Sequence, residues 1–280
     1  MSQPDSGPAW SASLARAPEA TLGEWLAFAL EACDEADAIA MRHFRRDLDV
    51  ARKPDRTFVT VADRGVERAL RERIRARYPG HGLVGEEYGT ELGDAATRWI
   101  IDPIDATHNY MRGIPLFATL LAVEQDGELQ VGVVSAPATR ERWYASRGGG
   151  AWTVGADREP RPIRVSRVAA IEDAQLLYGS ARDTVASGLM PGFDRLMADA
   201  WRERGFGDYW GYMLVAEGAA EAMLETGPNA WDMAAPTVVL EEAGGRVTDV
   251  AGRRRLDAAS FVASNGLLHE AILGRLRGEG

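Results

Sequence analysis

The sequence predicts an α+β fold made of two joined lobes. Apolar residues recur at helical spacing between about residues 22 and 44, which indicates a long amphipathic helix. A section between about residues 117 and 165 predicts short strands separated by glycine-containing turns. Beyond it strands and helices alternate, which favours a second layered lobe. We therefore expect an N-terminal α+β lobe over 19–170 and a C-terminal α/β lobe over 171–280, acting as one functional unit.

Composition and charge restrict the class of protein. The 280 residues are 46% hydrophobic and 26% charged, as in ordinary globular proteins, and their formal charge of −10 disfavours nucleic acid and anionic membranes. No apolar run reaches membrane-spanning length, no signal peptide is apparent, and the single cysteine, Cys33, fits a reducing compartment. We expect a cytoplasmic protein whose residues 1–18, rich in Ser, Ala, Pro and Gly, form a disordered lead-in.

The first lobe begins with two predicted helices. The first starts after Pro18, and Lys53-Pro54-Asp55 and residues 58–61 then predict a turn and a short strand. Asp63 stands at the N-cap position of the second helix, which ends before Pro79-Gly80. One arginine-rich stretch predicts a solvated face of this helix: Arg71, Arg73, Arg75 and Arg77.

Short apolar strands follow. Leu83-Val84 run into Gly85-Glu86-Glu87, and Trp99–Ile101 form a buried strand that Pro103 is expected to end. Asp126-Gly127, between two apolar runs, predicts a hairpin. In the second lobe the pattern predicts strands over 175–178, 222–225, 246–250 and 260–263, and helices over 190–204, 209–220, 232–243 and from about 266.

Three acidic segments stand where predicted strands meet turns: Gly85-Glu86-Glu87, Asp102-x-x-Asp105 and Trp231-Asp232. Several carboxylates in one place repel each other unless cations neutralise them, and carboxylate oxygens are the ligands that Mg²⁺ prefers. The N–H groups of residues 106–109 would face the same point and suit an anion. The pattern therefore indicates a phosphate monoester held by two or three Mg²⁺ ions, one polarising the phosphoryl group and another activating water.

Water is the expected nucleophile, because the sequence contains no recognisable activated Ser, Cys or His. Thr107 follows the acids closely enough to orient that water, and Asp63 would accept a hydrogen bond from its hydroxyl.

Four motifs resemble, in order and spacing, those of the inositol monophosphatase family, the lithium-sensitive magnesium-dependent phosphatases. They are Val59–Asp63, Gly85–Glu87, Trp99–Tyr110 and Trp231–Ala235. The resemblance covers about residues 20–275 and implies a layered αβαβα sandwich, usually a homodimer.

The resemblance also implies a set of metal ligands. Glu86, Asp102 and the backbone carbonyl of Ile104 would bind the first ion. Asp102, Asp105 and Asp232 would bind the second, with Glu86 also near a third.

By the same resemblance, Thr107 and Asp63 would activate the water, and Glu225 would contact the substrate. The chain departs from the family at Ala106, where D-P-I-D-G-T carries glycine. If this position needs φ > 0, alanine costs roughly 1–2 kcal/mol, and its methyl would crowd a phosphate on the adjacent N–H groups.

Residues 202–218 and 112–115 resemble the histidinol-phosphate phosphatase branch, so histidinol phosphate is the preferred substrate. Inositol monophosphate or another sugar or cyclitol phosphate is the alternative. An impaired relative that binds metal and phosphate without turnover is a third hypothesis, which only Ala106 favours. Asp208 is either the N-cap of a helix or a carboxylate for the cationic end of the substrate.

Overall fold

Helices α1 (Glu19–His43) and α2 (Val61–Arg77) pack together over one face of a large sheet. The computed structural model describes residues 19–46, 50–52, 58–93 and 96–278. The predicted lead-in at 1–18 and the turn at 53–55 lie outside the described residues. The apolar stripe of α1 is buried against the sheet as its spacing predicts.

The N-cap of helix α2 is Thr60, three residues before Asp63. The Thr60 side chain accepts from the backbone N–H of Ala62 at 3.1 Å, and the Thr60 N–H donates to Asp63 Oδ2 at 2.8 Å. Placing Asp63 at the N-cap was therefore wrong. It is the third helical residue of a capping box, whose sequence pattern, Thr60-x-x-Asp63, is present in the chain.

Two strands, β1 (Val50–Arg52) and β2 (Phe58–Thr60), pair with each other in a small antiparallel ribbon. The large sheet contains β3 (Gly82–Gly85), β4 (Gly89–Glu91), β5 (Thr97–Asp105), β6 (Ala118–Gln125), β7 (Glu128–Ala136), β8 (Glu141–Ser146), β9 (Ala151–Val154) and β10 (Pro160–Ile163). Their order is β10-β9-β8-β7-β6-β5-β3-β4, and only β3 and β5 pair in parallel. The β6–β7 hairpin turns at Asp126 and Gly127, both with positive φ, as predicted.

Strand β5 does not end at Pro103, contrary to expectation. It continues to Asp105, and its pairing with β6 shifts so that Asp102 faces Leu120 while Asp105 faces Ala118. Three residue steps on β5 therefore match two on β6, which is a β-bulge of one extra residue. In a regular strand residues 102 and 105 would point to opposite faces, and the bulge lets both acids serve one site.

Six further helices are α3 (Thr107–Met111), α4 (Ala181–Ala186), α5 (Met190–Asp199), α6 (Asp208–Ala216), α7 (Ala230–Glu242) and α8 (His269–Arg277). The smaller sheet contains β11 (Gln175–Tyr178), β12 (Arg202–Arg204), β13 (Ala222–Thr226), β14 (Arg246–Thr248) and β15 (Ser260–Ser264), in the order β12-β11-β13-β15-β14. The helix predicted over 190–204 was too long, because it ends at Asp199 and the chain then forms the edge strand β12.

Five layers of helices and sheets are packed together by three hydrophobic cores, the second of which covers both faces of the middle helical layer. The first lies between α1, α2 and the large sheet, the second joins both sheets through α6 and α7, and the third lies under α5 and α8. Gly132 on β7 permits the close approach of α7, because a Cβ there would meet the carbonyl oxygen of Ala235 at 2.6 Å. This stacking confirms the αβαβα sandwich. Within the described ranges, we find no helix with the length and hydropathy needed to cross a membrane.

Candidate metal and phosphate site

Three carboxylates meet where the large sheet faces the middle helical layer. Asp102 and Asp105 end β5, and Asp232 lies in the first turn of α7. One oxygen of each carboxylate lies within 4.8 Å of the others. Asp232 is held by its own capping box, since the N–H of Asn229 donates to its Oδ2 at 2.6 Å. Two acids on β5 and one on α7, far apart in sequence, thus form one cluster.

The electrostatics of this cluster suit a cation. Burial raises the pKa of Asp102 well above its usual value, and the negative charges of Glu86, Asp232 and Asp105 raise it further. Burial and the charges of Asp208 and Asp232 do the same to the pKa of Asp105. Burial raises the pKa of Asp232 to about 6. A bound cation would relieve this mutual repulsion.

One buried acceptor also lacks a partner. Among the described residues, no hydrogen-bond donor reaches Asp102 Oδ1, although the side chain is only 1% exposed. An unpartnered buried carboxylate oxygen is costly unless it binds a donor or a metal. The all-oxygen donor set fits Mg²⁺.

Glu86 and Ile104 flank the three aspartates. Glu86 stands outside the set of three mutually close carboxylates, yet its charge raises the pKa values of Asp102, Asp232 and Asp63. The carbonyl oxygen of Ile104 accepts a hydrogen bond from Thr107 Oγ1 at 3.0 Å. The structure therefore brings the three predicted aspartates together at one end of β5, with Ile104 on the same strand and the charge of Glu86 acting on the cluster.

Thr107 and Asp63 come into contact from separate elements. Thr107 Oγ1 lies 3.4 Å from Asp63 Oδ1, so its single proton has a second acceptor within reach besides the Ile104 carbonyl. Thr60 donates to Asp63 Oδ2 from its N–H and its hydroxyl. Asp63 is fully buried, and this burial raises its pKa to about 6 although the hydrogen bonds from Thr60 lower it. A carboxylate with that pKa can take up a proton near neutral pH.

Ala106 adopts the left-handed conformation, with φ 64° and ψ 45°, between β5 and α3. This is the conformation that glycine accommodates without strain, so the alanine stands at a position where φ > 0 is required.

Helix α6 and strand β13 supply Asp208 and Glu225. Gly207 is the N-cap of α6, and Asp208, with φ 56°, is its first residue; its side chain makes no capping hydrogen bond with the described helix. The N-cap interpretation of Asp208 is therefore wrong. The N–H of Tyr209 donates to Asp105 Oδ2 at 2.8 Å, which brings Asp208 to the cluster.

Glu225 lies on β13 beside the same region. The hydroxyl of Tyr212 donates to Glu225 Oε2 at 2.6 Å. Burial raises the pKa of Glu225 to about 8, and the charges of Asp208 and Asp232 also raise it. Glu225 and Asp208 thus add two acids beside the cluster, on the side formed by α6 and β13.

Two residues near the site escaped the sequence interpretation. Glu67 is fully buried one helical turn after Asp63, and Arg71, assigned to a solvated face, is buried against Glu67 with Nε–Oε1 at 2.8 Å. The i, i+4 spacing of Glu67 from Asp63 was the available signal.

Comparison with known proteins gives consistent findings. The model of the inositol monophosphatase family matches residues 21–279. A histidinol-phosphatase of Mycobacterium tuberculosis is 42% identical over 252 residues, which cover 90% of this chain and 97% of that protein. A histidinol-phosphatase of Streptomyces coelicolor is 41% identical, over 87% of this chain and 93% of its own length.

More distant relatives carry another substrate name. An inositol-1-monophosphatase of Rhizobium meliloti is 36% identical, over 81% of this chain and 85% of its own length. The solved structure of an IMPase of Thermotoga maritima superimposes with a TM-score of 0.81 at 32% identity, and the match covers 91% of this chain and 98% of that one.

Proposed function

The chain belongs to the inositol monophosphatase family of magnesium-dependent phosphoric monoester hydrolases, and we propose that its substrate is histidinol phosphate, which it hydrolyses to histidinol and phosphate. The observation that carries this choice is the identity of 41–42% to two histidinol-phosphatases over nearly their whole lengths.

The metal ligands in this proposal are Glu86, Asp102, Asp105, Asp232 and the carbonyl of Ile104. The close approach of the three aspartates and the unpartnered Asp102 Oδ1 support it. Two or three bound Mg²⁺ ions would neutralise the carboxylates, polarise the phosphoryl group and lower the pKa of a water molecule.

The chain's own side chains then handle the proton. Thr107 accepts a hydrogen bond from the attacking water while its hydroxyl donates to Asp63. The water oxygen forms the new bond to phosphorus, and the water proton passes through Thr107 to Asp63. The ester P–O bond breaks, and its oxygen leaves with the histidinol group and takes a proton from solvent water; Asp63 afterwards returns its proton to solvent. Ala106, beside Thr107, brings its neighbouring N–H groups toward the phosphate.

Asp208 and Glu225 determine substrate choice in this proposal. In histidinol phosphate the group bonded to the ester oxygen carries an ammonium and an imidazole, whereas in inositol phosphate that group carries only neutral hydroxyls. A desolvated carboxylate binds a cation more strongly than it binds a hydroxyl. The burial that raises the pKa of Asp208 supports this preference, because a cationic group would stabilise its charged form.

A phosphate-release screen tests the proposal. The purified enzyme is assayed with histidinol phosphate, inositol phosphates, sugar bisphosphates and nucleotide phosphates, with Mg²⁺ and with excess chelator. We expect the largest kcat/KM for histidinol phosphate and no turnover with chelator. Preference for inositol phosphate or a sugar phosphate would establish the alternative suggested by the inositol-1-monophosphatase relatives. No turnover of any ester would establish the impaired binder.

We also propose a homodimer, as the family resemblance implies. Trp201 is 65% exposed directly before the edge strand β12, and such an aromatic beside an unpaired strand edge supports an interface there. Sedimentation equilibrium of wild type and Trp201→Ala tests this, with a monomeric wild type as the contradicting result.

A further inference from the structure

Glu67 holds the turn that carries Glu86. Its carboxylate accepts the backbone N–H of Glu87 at Oε2, 2.7 Å away, and that of Tyr88 at Oε1, 3.2 Å away. These are the two residues that follow Glu86 in the β3–β4 turn. Since Glu67 lies on α2, the contact fixes the turn to an element whose Asp63 also reaches the site.

Arg71 also hydrogen-bonds to this turn and to Glu67. Its Nε donates to Glu67 Oε1 at 2.8 Å, and its Nη2 donates to the carbonyl of Gly89 at the end of the turn. Both side chains are nearly inaccessible, at 0% and 3% exposed. A buried ion pair stabilises a fold little on average, and its best use is to impose one geometry. Here the pair binds backbone groups on both sides of the turn apex.

The start of the turn is shaped around Glu67. A Cβ on Gly85 would meet Glu67 Oε1 at 2.1 Å, so only glycine leaves room for the carboxylate. Glu86 itself is held on the other side, because its N–H donates to the carbonyl of Ile101, the residue before Asp102, at 3.3 Å. The backbone of Glu86 is thus fixed from both β5 and α2.

We propose that Glu67 is a positioning residue for metal binding: it touches neither metal nor substrate, and it sets the place of the Glu86 carboxylate relative to Asp102 through the turn. This inference rests on the proposed role of Glu86 as a ligand. Glu67→Gln replaces one acceptor oxygen with a donor that faces a backbone N–H, and it leaves Arg71 buried without its counter-charge. The turn should then relax, and Mg²⁺ affinity should fall.

The test measures Mg²⁺ binding directly, by isothermal titration calorimetry of the metal-free enzyme without substrate, alongside melting temperature. Glu124→Gln is the matched control. Glu124 is buried, is paired with Arg98 at 2.7 Å, and lies at the other end of the β5–β6 ladder from Asp102. We expect Glu67→Gln to raise the Mg²⁺ Kd at least ten-fold, and Glu124→Gln to leave it unchanged. Excess Mg²⁺ should restore part of the kcat of Glu67→Gln.

Two results would overturn the proposal: an unchanged Kd in Glu67→Gln, or equal weakening of Mg²⁺ binding in both variants. If Glu67→Gln does not fold, Gly85→Ala, whose methyl displaces the carboxylate, decides the question by the same Kd criterion. A wild type that binds Mg²⁺ but does not hydrolyse histidinol phosphate would instead refute the proposed substrate, and the comparison of Kd values would still judge Glu67.

Discussion

The backbone N–H of Tyr209 donates to Asp105 Oδ2 over 2.8 Å, and this bond joins helix α6 to the end of strand β5 at the acidic cluster. Asp105 ends a strand of the large sheet, whereas Tyr209 lies in the first turn of α6. One carboxylate oxygen of Asp105 is thereby fixed by α6, and Asp208 is brought beside the acidic cluster. In the proposed function, metal binding and substrate choice would both depend on this contact.

Asp105→Asn should abolish activity while the fold survives. Asparagine keeps an oxygen to accept the Tyr209 N–H but removes a charge from a cluster whose burial already raises the pKa of Asp105. We expect at least a hundred-fold loss of kcat/KM, about 2.7 kcal/mol of transition-state stabilisation, with a melting temperature of the metal-free protein equal to or above wild type. Steady-state kinetics over a range of Mg²⁺ concentrations and thermal melts check this. Full turnover by the variant would contradict the metal mechanism.

Ala106→Gly should stabilise the protein and raise kcat/KM or leave it unchanged. At φ 64° alanine costs about 1–2 kcal/mol, and the greater chain entropy of glycine in the unfolded state offsets about 0.5–1 kcal/mol of the gain. The control is Ala27→Gly at an exposed position in the interior of α1, which should destabilise by about 1 kcal/mol. Chemical denaturation compares the two. A ten-fold or greater loss of kcat/KM in Ala106→Gly would show that alanine is adapted to this substrate.

The pH profile should show an acid limb set by Asp63. Burial raises the pKa of Asp63 to about 6, so its ionised form, which accepts the proton, is lost as the pH falls through about 6. We expect kcat/KM at saturating Mg²⁺ to fall about ten-fold per pH unit below that point. Asp63→Asn should lose most activity and this limb as well. If the residual activity of Asp63→Asn still declined at low pH as in wild type, the decline would belong to another titrating group.

His269 should make the free energy of unfolding decrease as the pH falls. It is fully buried between Thr248 Oγ1 and Ser264 Oγ, each 2.8 Å from a ring nitrogen. Burial, then the charge of Arg246, lowers its pKa to about 4, so the unfolded chain binds this proton more readily than the folded one. Its contribution is fully present above about pH 6.5 and declines as the pH falls to about 4, a loss of about 2–3 kcal/mol. Urea unfolding at pH 7.5 and 4.5 should show this slope in wild type, and a smaller one in His269→Gln.

The acids of the site could be predicted from the sequence because each follows a predicted strand end, and that pattern can be read within a short stretch of residues. The bulge at Pro103 was missed, since the register between β5 and β6 depends on contacts that no local pattern records. Arg71 was misassigned for a related reason. Alternate arginines on a helix predict a solvated face, but Glu67 supplies the buried partner that only the tertiary structure reveals.

Asp208→Asn should separate the two candidate substrates. Asparagine tolerates the left-handed conformation about as well as aspartate, so the φ of 56° and the start of α6 should be preserved. The substitution removes only the charge. A carboxylate bound to a cation is stronger than one bound to a hydroxyl by about 1 kcal/mol, so kcat/KM for histidinol phosphate should fall several-fold more than that for inositol phosphate. Asp183→Asn, an exposed acid in the first turn of α4, is the control and should change neither. Kinetics on both esters and thermal melts measure the effect.

Because the structure gives Asp208 no capping bond within the described helix, equal losses on both substrates would mean that its charge acts on the metal cluster rather than on the leaving group.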